Sequence, residues 1–304
     1  MATAGDTRAA SSAARPELTV VLCTRNGAST IARQLDALMA QDWDDGSFEV
    51  VVVDNGSTDG TASVVARYVD ADPERVRLVP APERAGLSYA RNVGVEHARG
   101  DSVVFCDDDD EVAPGWVAAM GEALRHHEVV ASHMEYRRLS DPRALVGRAD
   151  YQSRGVEHLF GLPVVNGASG WRVSLWRALG GNDVEMDFTG EDLDMALRAH
   201  LRFGVKPVFC EGAVYHCRRR GGVRATFTQA RRYGRAHVVL YRRYGRGRVD
   251  ARAESRRALL GWWWLARSLP QLATGRVSPL LWTWRLGLRV GRLEGSVREL
   301  TWWP

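Results

Sequence analysis

Lysine is almost absent from this chain. Of its 41 basic residues only Lys206 is a lysine, and the other forty are arginines. Genomic base composition explains such a bias as readily as function does, but the scarcity argues against chemistry built on a lysine-rich phosphate loop. Cysteine is scarce too: four residues at 23, 106, 210 and 217, with no CxxC pair. That excludes a disulfide-stapled scaffold and argues against a zinc centre. Cys23, Cys106 and Cys210 each end an apolar run, as buried free thiols in a reducing compartment do. No uninterrupted apolar run reaches the ~18 residues of a membrane span. Residues 1–16 hold small, polar and basic side chains without an apolar stretch, so no secretory signal is expected and the segment reads as disordered. A cytoplasmic protein, or one peripheral on the inner face of the cell membrane, is the expectation.

What is present is the composition of a globular chain: 304 residues, 45% hydrophobic and 26% charged. One large domain with an appendage, or two domains, fits that length. The net charge of +4 conceals a division. Residues 1–210 hold 21 Lys+Arg against 32 Asp+Glu, and residues 211–304 hold 20 against 5. The chain is acidic first and strongly basic afterwards.

The acidic part alternates strands and helices. LTVVLC (18–23), FEVVVVD (48–54) and SVVFC (102–106) are β-branched apolar runs of the kind buried on both faces. A shorter strand is expected at 76–79. Helices follow from spacing: one with Ile31, Leu35, Leu38 and Met39 on one face, capped by Ser29; one through Val64, Val65, Tyr68 and Val69; one near 87–98. This alternation predicts an α/β fold with a parallel sheet and crossover helices. Further on, the sequence predicts a helix starting at Pro114, a strand at 128–136, a helix from Glu191, and two short strands at 206–210 and 213–216. From about 225 the chain reads as helical, and a soft boundary falls near 220.

Parallel strands would bring three polar termini to one sheet edge: Cys23-Thr24-Arg25-Asn26, Asp54-Asn55-Gly56-Ser57 and Asp107-Asp108-Asp109-Asp110. Four consecutive carboxylates repel one another unless a cation joins them, and hard oxygens suit Mg²⁺ or Mn²⁺. The same run also fits a solvated loop or a helix N-terminus. Gly190-Glu191-Asp192 opens a helix, where acids are common for dipole reasons alone.

These segments, in this order, resemble the family 2 glycosyltransferases of the inverting GT-A type: LTVVLCTRNGAS (18–29), VVVDNGSTDGT (51–61), GLSYARNVGVEHARGDSVVFCDDDD (86–110) and TGEDLDMALR (189–198). The resemblance covers residues 17–217. It implies a Rossmann-like mixed sheet flanked by helices over 17–220, with a nucleotide-binding half (17–110) and an acceptor half (111–220). An Arg/Trp-rich helical extension occupies 221–304. It implies transfer of a sugar from a UDP-, dTDP- or GDP-linked donor to an acceptor hydroxyl, with Mg²⁺ or Mn²⁺. By matching position, Thr24 and Asp54 hold the base, with Arg25, Asn26 and Asn55 beside them; Asp54 can accept the imide N–H of a uracil or thymine. Asp107 and Asp109 correspond to the ends of the DxD motif, Asp109 on the metal and Asp107 nearer the ribose, with Asp108 between them at the donor. Arg91 is a phosphate contact, or else a surface arginine paired with Glu96 or Asp101. Asp192 is the general base and Glu191 its supporting carboxylate. His216 is a third metal ligand or a plain strand-end histidine. Many relatives carry Pro-Thr-Tyr after the first strand where this chain has Cys23-Thr24-Arg25, which leaves the identity of the base open.

Trp171 and Trp176 suit a sugar platform or the core equally. Seven of the eleven tryptophans follow residue 261, amid arginines. Such helices fit a cap on the catalytic domain, a homodimer interface or a membrane surface, and nucleic acid is the least favoured partner. The other functions these features allow are a nucleotidyltransferase and a non-enzymatic nucleotide- or RNA-binding module. The first would not need the Gly190-Glu191-Asp192 helix, and the second would not need four aspartates.

Overall fold

A computed structural model describes residues 15–145, 156–165, 167–186, 189–219 and 221–303. Most of the N-terminal segment expected to be disordered lies outside these residues, as do Asn166 and Arg220. The first half follows the expected alternation: β1 (Leu18–Thr24), α1 (Ile31–Met39), β2 (Phe48–Asp54), α2 (Thr61–Ala71), β3 (Val76–Pro80), α3 (Leu87–His97) and β4 (Ser102–Asp107). All seven residues of β1 are buried. It lies between β2 and β4, parallel to both, in a register that sets Thr24 beside Asp54 and Cys23 beside Asp107. The polar termini therefore do converge on one edge.

The second half comprises β5 (Glu111–Val112), α4 (Trp116–His126), β6 (Val129–Glu135), a short α5 (Pro142–Leu145), the hairpin β7 (Glu157–Leu159) and β8 (Leu162–Val164), β9 (Ser169–Arg172), α6 (Val173–Leu179), α7 (Glu191–Phe203) and β10 (Val208–His216). The main sheet runs β3-β2-β1-β4-β9-β6-β10-β5. It is mixed: β9 is antiparallel to β4 and β6, and β5 to β10.

Three local expectations need correction. Thr30, not Ser29, precedes α1, because Thr30 N and Ile31 N both bond Gly27 O and hold Ser29 in a turn ahead of the helix. Pro114 lies before α4 rather than in its first turn, since Gly115 takes a left-handed φ of 79° that a helix cannot contain. The two short strands expected at 206–216 form the single strand β10, broken in register between Cys210 and Val214.

Side chains alternate across the sheet and define two cores. One holds Val21, Val53, Val103 and Phe105 against α3, α6 and α7; the other holds Val20, Leu22, Val50 and Val104 against α1, α2 and α4. Trp171 and Trp176 are buried in the first, packed edge to face at 5.8 Å, so they are core residues. The four cysteines are unbridged, and burial pushes the Cys23 thiol up to about 12.

The basic extension is helical as expected: α8 (Val223–Leu240), a π-helical segment (Tyr241–Gly245), α9 (Ala251–Arg267), α10 (Leu269–Ala273) and α11 (Pro279–Arg298). Among the described residues no helix is long and apolar enough to cross a membrane. Small residues recur every fourth position along α11 at Thr283, Gly287, Gly291 and Gly295, all buried. This stripe lets α8 and α11 approach at backbone distance. A Cβ on Gly287 would lie 2.7 Å from Phe227 O, and one on Gly291 would collide with Arg231 O. The fit is reciprocal, because a Cβ on Gly234 of α8 would lie 2.9 Å from Gly291 Cα.

Gly291→Val is expected to force these helices apart and cost about 1–3 kcal/mol, read as a fall in thermal midpoint. Gly212→Ala, where the added methyl meets open space, should leave that midpoint within error. Equal midpoints for Gly291→Val and the unmodified chain would show that the stripe does not set the approach.

Candidate active site

Strand parity aims the carboxylate at the end of β4. Asp107 shares the phase of Val103 and Phe105, which face the core covered by α3, so its side chain is presented to that helix. Arg91 meets it there. The guanidinium is buried, its side chain 4% exposed, and it lies 5.2 Å over the Phe105 ring. Its Nη1 donates to Glu191 Oε1 at 2.8 Å, while Nη2 lies 3.7 Å from Asp107 Oδ1 and donates to Gly167 O at 3.4 Å. Arg91 is thus neither a surface arginine nor a partner of Glu96 or Asp101. It joins the end of β4 to the start of α7. Burial alone would depress its pKa, but Glu191 and then Asp107 raise it, so the charge is permanent.

Gly190 makes this turn into α7 possible. Its φ of 89° is left-handed, and a Cβ there would press to 3.3 Å of Ala236 on α8. Asp192 is half-buried beside Glu191, and its Oδ1 accepts from Leu193 N at 2.8 Å. Desolvation, then the charge of Glu191, raise its pKa to about 7 in spite of Arg91. A carboxyl group poised there is suited to accepting a proton near neutrality.

The edge formed by the ends of β1 and β2 is organised by side chain–backbone bonds. Asp54 Oδ1 accepts from Ser57 N at 2.8 Å. Asn26 adopts φ 58°, receives Thr58 N on its Oδ1 at 2.8 Å, and donates its own N–H to Ser57 Oγ. Arg25 is exposed at the edge. Asn55 is buried, donating to Ala81 O and Arg84 O and accepting from Gly86 N, so it holds the β3–α3 loop. The Thr24 hydroxyl donates to Asp108 Oδ2. A Cβ on Gly27 would strike both groups, which requires a glycine at that close approach.

Of the acidic run, Asp107 is 45% exposed at the side chain. Asp110 is buried and accepts from Arg218 N at 2.6 Å, and desolvation with the charges of Asp107 and Asp109 pushes its pKa up to about 9. Arg218 Nε donates to Asp109 O at 3.0 Å, so the first residues after β10 close over the run. Both ring nitrogens of His216 have protein partners: Nδ1 lies 2.9 Å from Glu135 Oε2, and Nε2 lies 3.5 Å from the Arg138 guanidinium. Burial would raise the Glu135 carboxyl, yet hydrogen bonds from His216, Arg137 N and Arg138 N hold it below the usual range. Among the described residues no three His, Cys, Asp or Glu side chains converge tightly enough to hold a metal ion alone. The donors at the end of β4 are nevertheless hard oxygens, and Mg²⁺ or Mn²⁺ sites commonly take their remaining ligands from water and a bound diphosphate. The residues fit a cation brought in with such a ligand.

Two features escape sequence reading. Tyr233, on α8, sits beside Asp192 and Glu191 and hydrogen-bonds Thr189; burial and those two charges push its phenol up to about 12. Asp194 is fully buried and accepts from Arg198 Nε at 2.7 Å, Arg243 Nη1 at 2.9 Å and Tyr244 Oη at 2.7 Å. The Arg198 contact, four residues on along a helix, is visible as a pattern. No sequence signal points to the distant partners.

A family model, Glycosyl transferase family 2, matches residues 19–161. The succinoglycan biosynthesis protein ExoO of Rhizobium meliloti is 38% identical over 107 residues, covering 35% of this chain and 29% of that protein. The chain spans about a third of the length of this and the next curated relatives it matches. The mannosyltransferase PcManGT of Pyrobaculum calidifontis, solved with GDP-Man and Mn²⁺, superposes with a TM-score of 0.64 at 25% identity over 92% of this chain and 87% of that one. S. aureus TarS 1–349 with UDP-GlcNAc shares the fold, with a TM-score of 0.55 at 18% identity over 95% of this chain and 93% of that one. With its nucleotide-side strands, its acidic strand end and these likenesses, the chain belongs to glycosyltransferase family 2 and has the GT-A fold.

Proposed function

We propose that this chain transfers a sugar from a nucleotide-diphosphate sugar to an acceptor hydroxyl with inversion at the anomeric carbon, Asp192 acting as general base. The observation that carries the reading is the Arg91 bridge, which brings the strand-end carboxylate Asp107 and the helix-start pair Glu191–Asp192 to one place. PcManGT, superposing over nearly the whole chain, was solved with a nucleotide sugar and Mn²⁺.

The base lies over the ends of β1 and β2. Asp54 spends one oxygen on Ser57 N and offers the other to an imide or amide N–H, while Arg25 stacks on the ring in place of the family's tyrosine. Thr24 and Asn26 act through position, the first by fixing Asp108 and the second by fixing the 55–58 turn. The diphosphate lies toward Asp107 and Asp109, which would hold Mg²⁺ or Mn²⁺; when bound, the cation offsets charge on the departing diphosphate. His216 joins that set only by exchanging Arg138 for the metal. On the acceptor side Asp192 takes the hydroxyl proton on Oδ2 as the oxygen attacks from the face opposite the leaving group. Glu191, tied to Arg91, supplies the negative charge that keeps Asp192 basic enough. Tyr233 and the 189–192 turn bound the space in which the acceptor hydroxyl must sit.

Asp192→Asn should lower transfer by about 10²–10⁴-fold while nucleotide-diphosphate affinity by calorimetry stays within about twofold; turnover near that of the unmodified enzyme would exclude Asp192 as the base. The raised pKa sets a pH dependence. Asp192 is protonated and inactive below about 7, so kcat should rise through that value as the proton leaves. Glu191→Gln removes the like charge and should move the midpoint to lower pH; a midpoint moving upward would contradict the coupling. Chelation should abolish donor hydrolysis and Mn²⁺ restore it, with Asp109→Ala raising the Mn²⁺ concentration required. Full activity in chelator would remove the metal from the scheme.

A further inference from the structure

We infer that α9 and α10 form a membrane-surface docking face that seats this chain on an anionic bilayer. Helix α9 has one side already packed: Ala258 and Leu265 are buried, Trp282 Nε1 donates to Leu265 O at 3.1 Å, and Arg285 stacks at 4.1 Å on Trp264. The opposite side should then be polar, as on any surface helix of a globular protein. It is apolar instead. Leu259 is 69% exposed, Leu260 65% and Trp263 57%, and Leu269 follows at the start of α10. Arg256, Leu260, Trp263 and Arg267 succeed one another at helical spacing, so the apolar stripe has an exposed arginine at each end. Trp302, also exposed, donates to Ser255 Oγ at 3.3 Å and continues the apolar surface one turn before Leu259.

Charge selects the occupant. From 255 to 293 the sequence holds seven arginines and no Asp or Glu. A second copy meeting this face about a two-fold axis would set arginine against arginine. An anionic lipid surface offers the opposite sign, and it accepts both halves of the pattern at once. Leucine and tryptophan enter the acyl boundary while the guanidinium groups stay among the phosphates. The Arg267 guanidinium lies 4.9 Å over the Trp263 ring, so a cation and an aromatic side chain meet on this face. With no helix among the described residues able to span a bilayer, the mode is lying on the surface. This inference is independent of the transfer reaction.

The test is flotation of the full chain with vesicles of pure phosphatidylcholine and of phosphatidylcholine containing about a third phosphatidylglycerol. Binding is expected on the anionic vesicles, with a blue shift of tryptophan emission. Leu260→Glu/Trp263→Glu should weaken it at least ~10-fold. Arg256→Gln/Arg267→Gln should weaken it about fivefold per charge and narrow the difference between the two compositions. All four side chains face solvent, so the variants should keep the thermal midpoint of the unmodified chain, which separates docking from folding. Failure of the unmodified chain to float, or equal flotation of the Leu260/Trp263 variant, overturns the inference. So does a dimer in sedimentation that Trp263→Glu dissolves without any vesicle binding, or capture of single-stranded RNA in preference to anionic vesicles.

Discussion

The site depends on one buried cation. Arg91 sits where two anionic elements from distant parts of the chain meet, and neither could take its place without it. Removing one partner from a buried ion pair typically costs about 3–5 kcal/mol, because the remaining charge is left unpaired. Here the loss would also leave Asp107 and Glu191 with no intervening charge. The planar guanidinium suits the task better than an ammonium, since its fork directs donors at Glu191, Asp107 and Gly167 together. The rest of α3 serves the same junction. Ser88 donates to Met186 O, and Asn92 exchanges bonds with the Asn182 backbone, so one helix face fixes the segment leading into α7. The helix that carries Asp192 is therefore positioned by α3, which packs against β1 and β2.

That arrangement explains which parts of the structure were legible in the sequence. Strands β1, β2 and β4 are apolar and β-branched throughout, so periodicity finds them. Their polar ends follow at once, because parallel neighbours in register must finish together. Asp107 could be named because it ends such a strand, and Asp192 because it opens a helix, each within a motif. Arg91 was named for a different duty. Nothing local distinguishes an arginine that reaches for phosphate from one that holds two protein carboxylates. Only the phase of α3 against the sheet decides, and that is a tertiary fact. Tyr233, on a helix more than forty residues beyond the motif it touches, had no local signal.

The boundary elements failed for a related reason. Pro114 and Ser29 have the right chemistry for helix starts, yet the backbone just before each helix is set by a glycine: Gly115 in the left-handed region, and Gly27 lending its carbonyl to Thr30 and Ile31. β9 was hidden because Ser-Gly-Trp-Arg is too short and mixed to show a period. It forms only because β4 and β6 present open edges on either side.

The charge division between the two parts of the chain resolves into three uses of arginine. Some are structural: Arg243 reaches Asp194 and Asp183, Arg231 pairs with Glu294, and Arg242 with Glu299, so two carboxylates of the extension and two from the part before it are engaged. Some close the site, as Arg218 does over Asp109 and Asp110. Others, Arg256 and Arg267 among them, face outward on α9 with tryptophan and leucine. The first two uses consume acidic partners, and the extension has only four carboxylates to give. The outward set must therefore be solvated or meet an anion from elsewhere. An apolar stripe alone would fit any protein partner, and an arginine surface alone any polyanion. Both occur on one face of α9, while elsewhere in the extension Arg243 and Tyr244, in the π-helical segment after α8, tie that segment to Asp194 of α7. The extension is thus joined to the helix that carries Asp192 by bonds to the buried Asp194, and its outward arginines are left to solvent or to an anion.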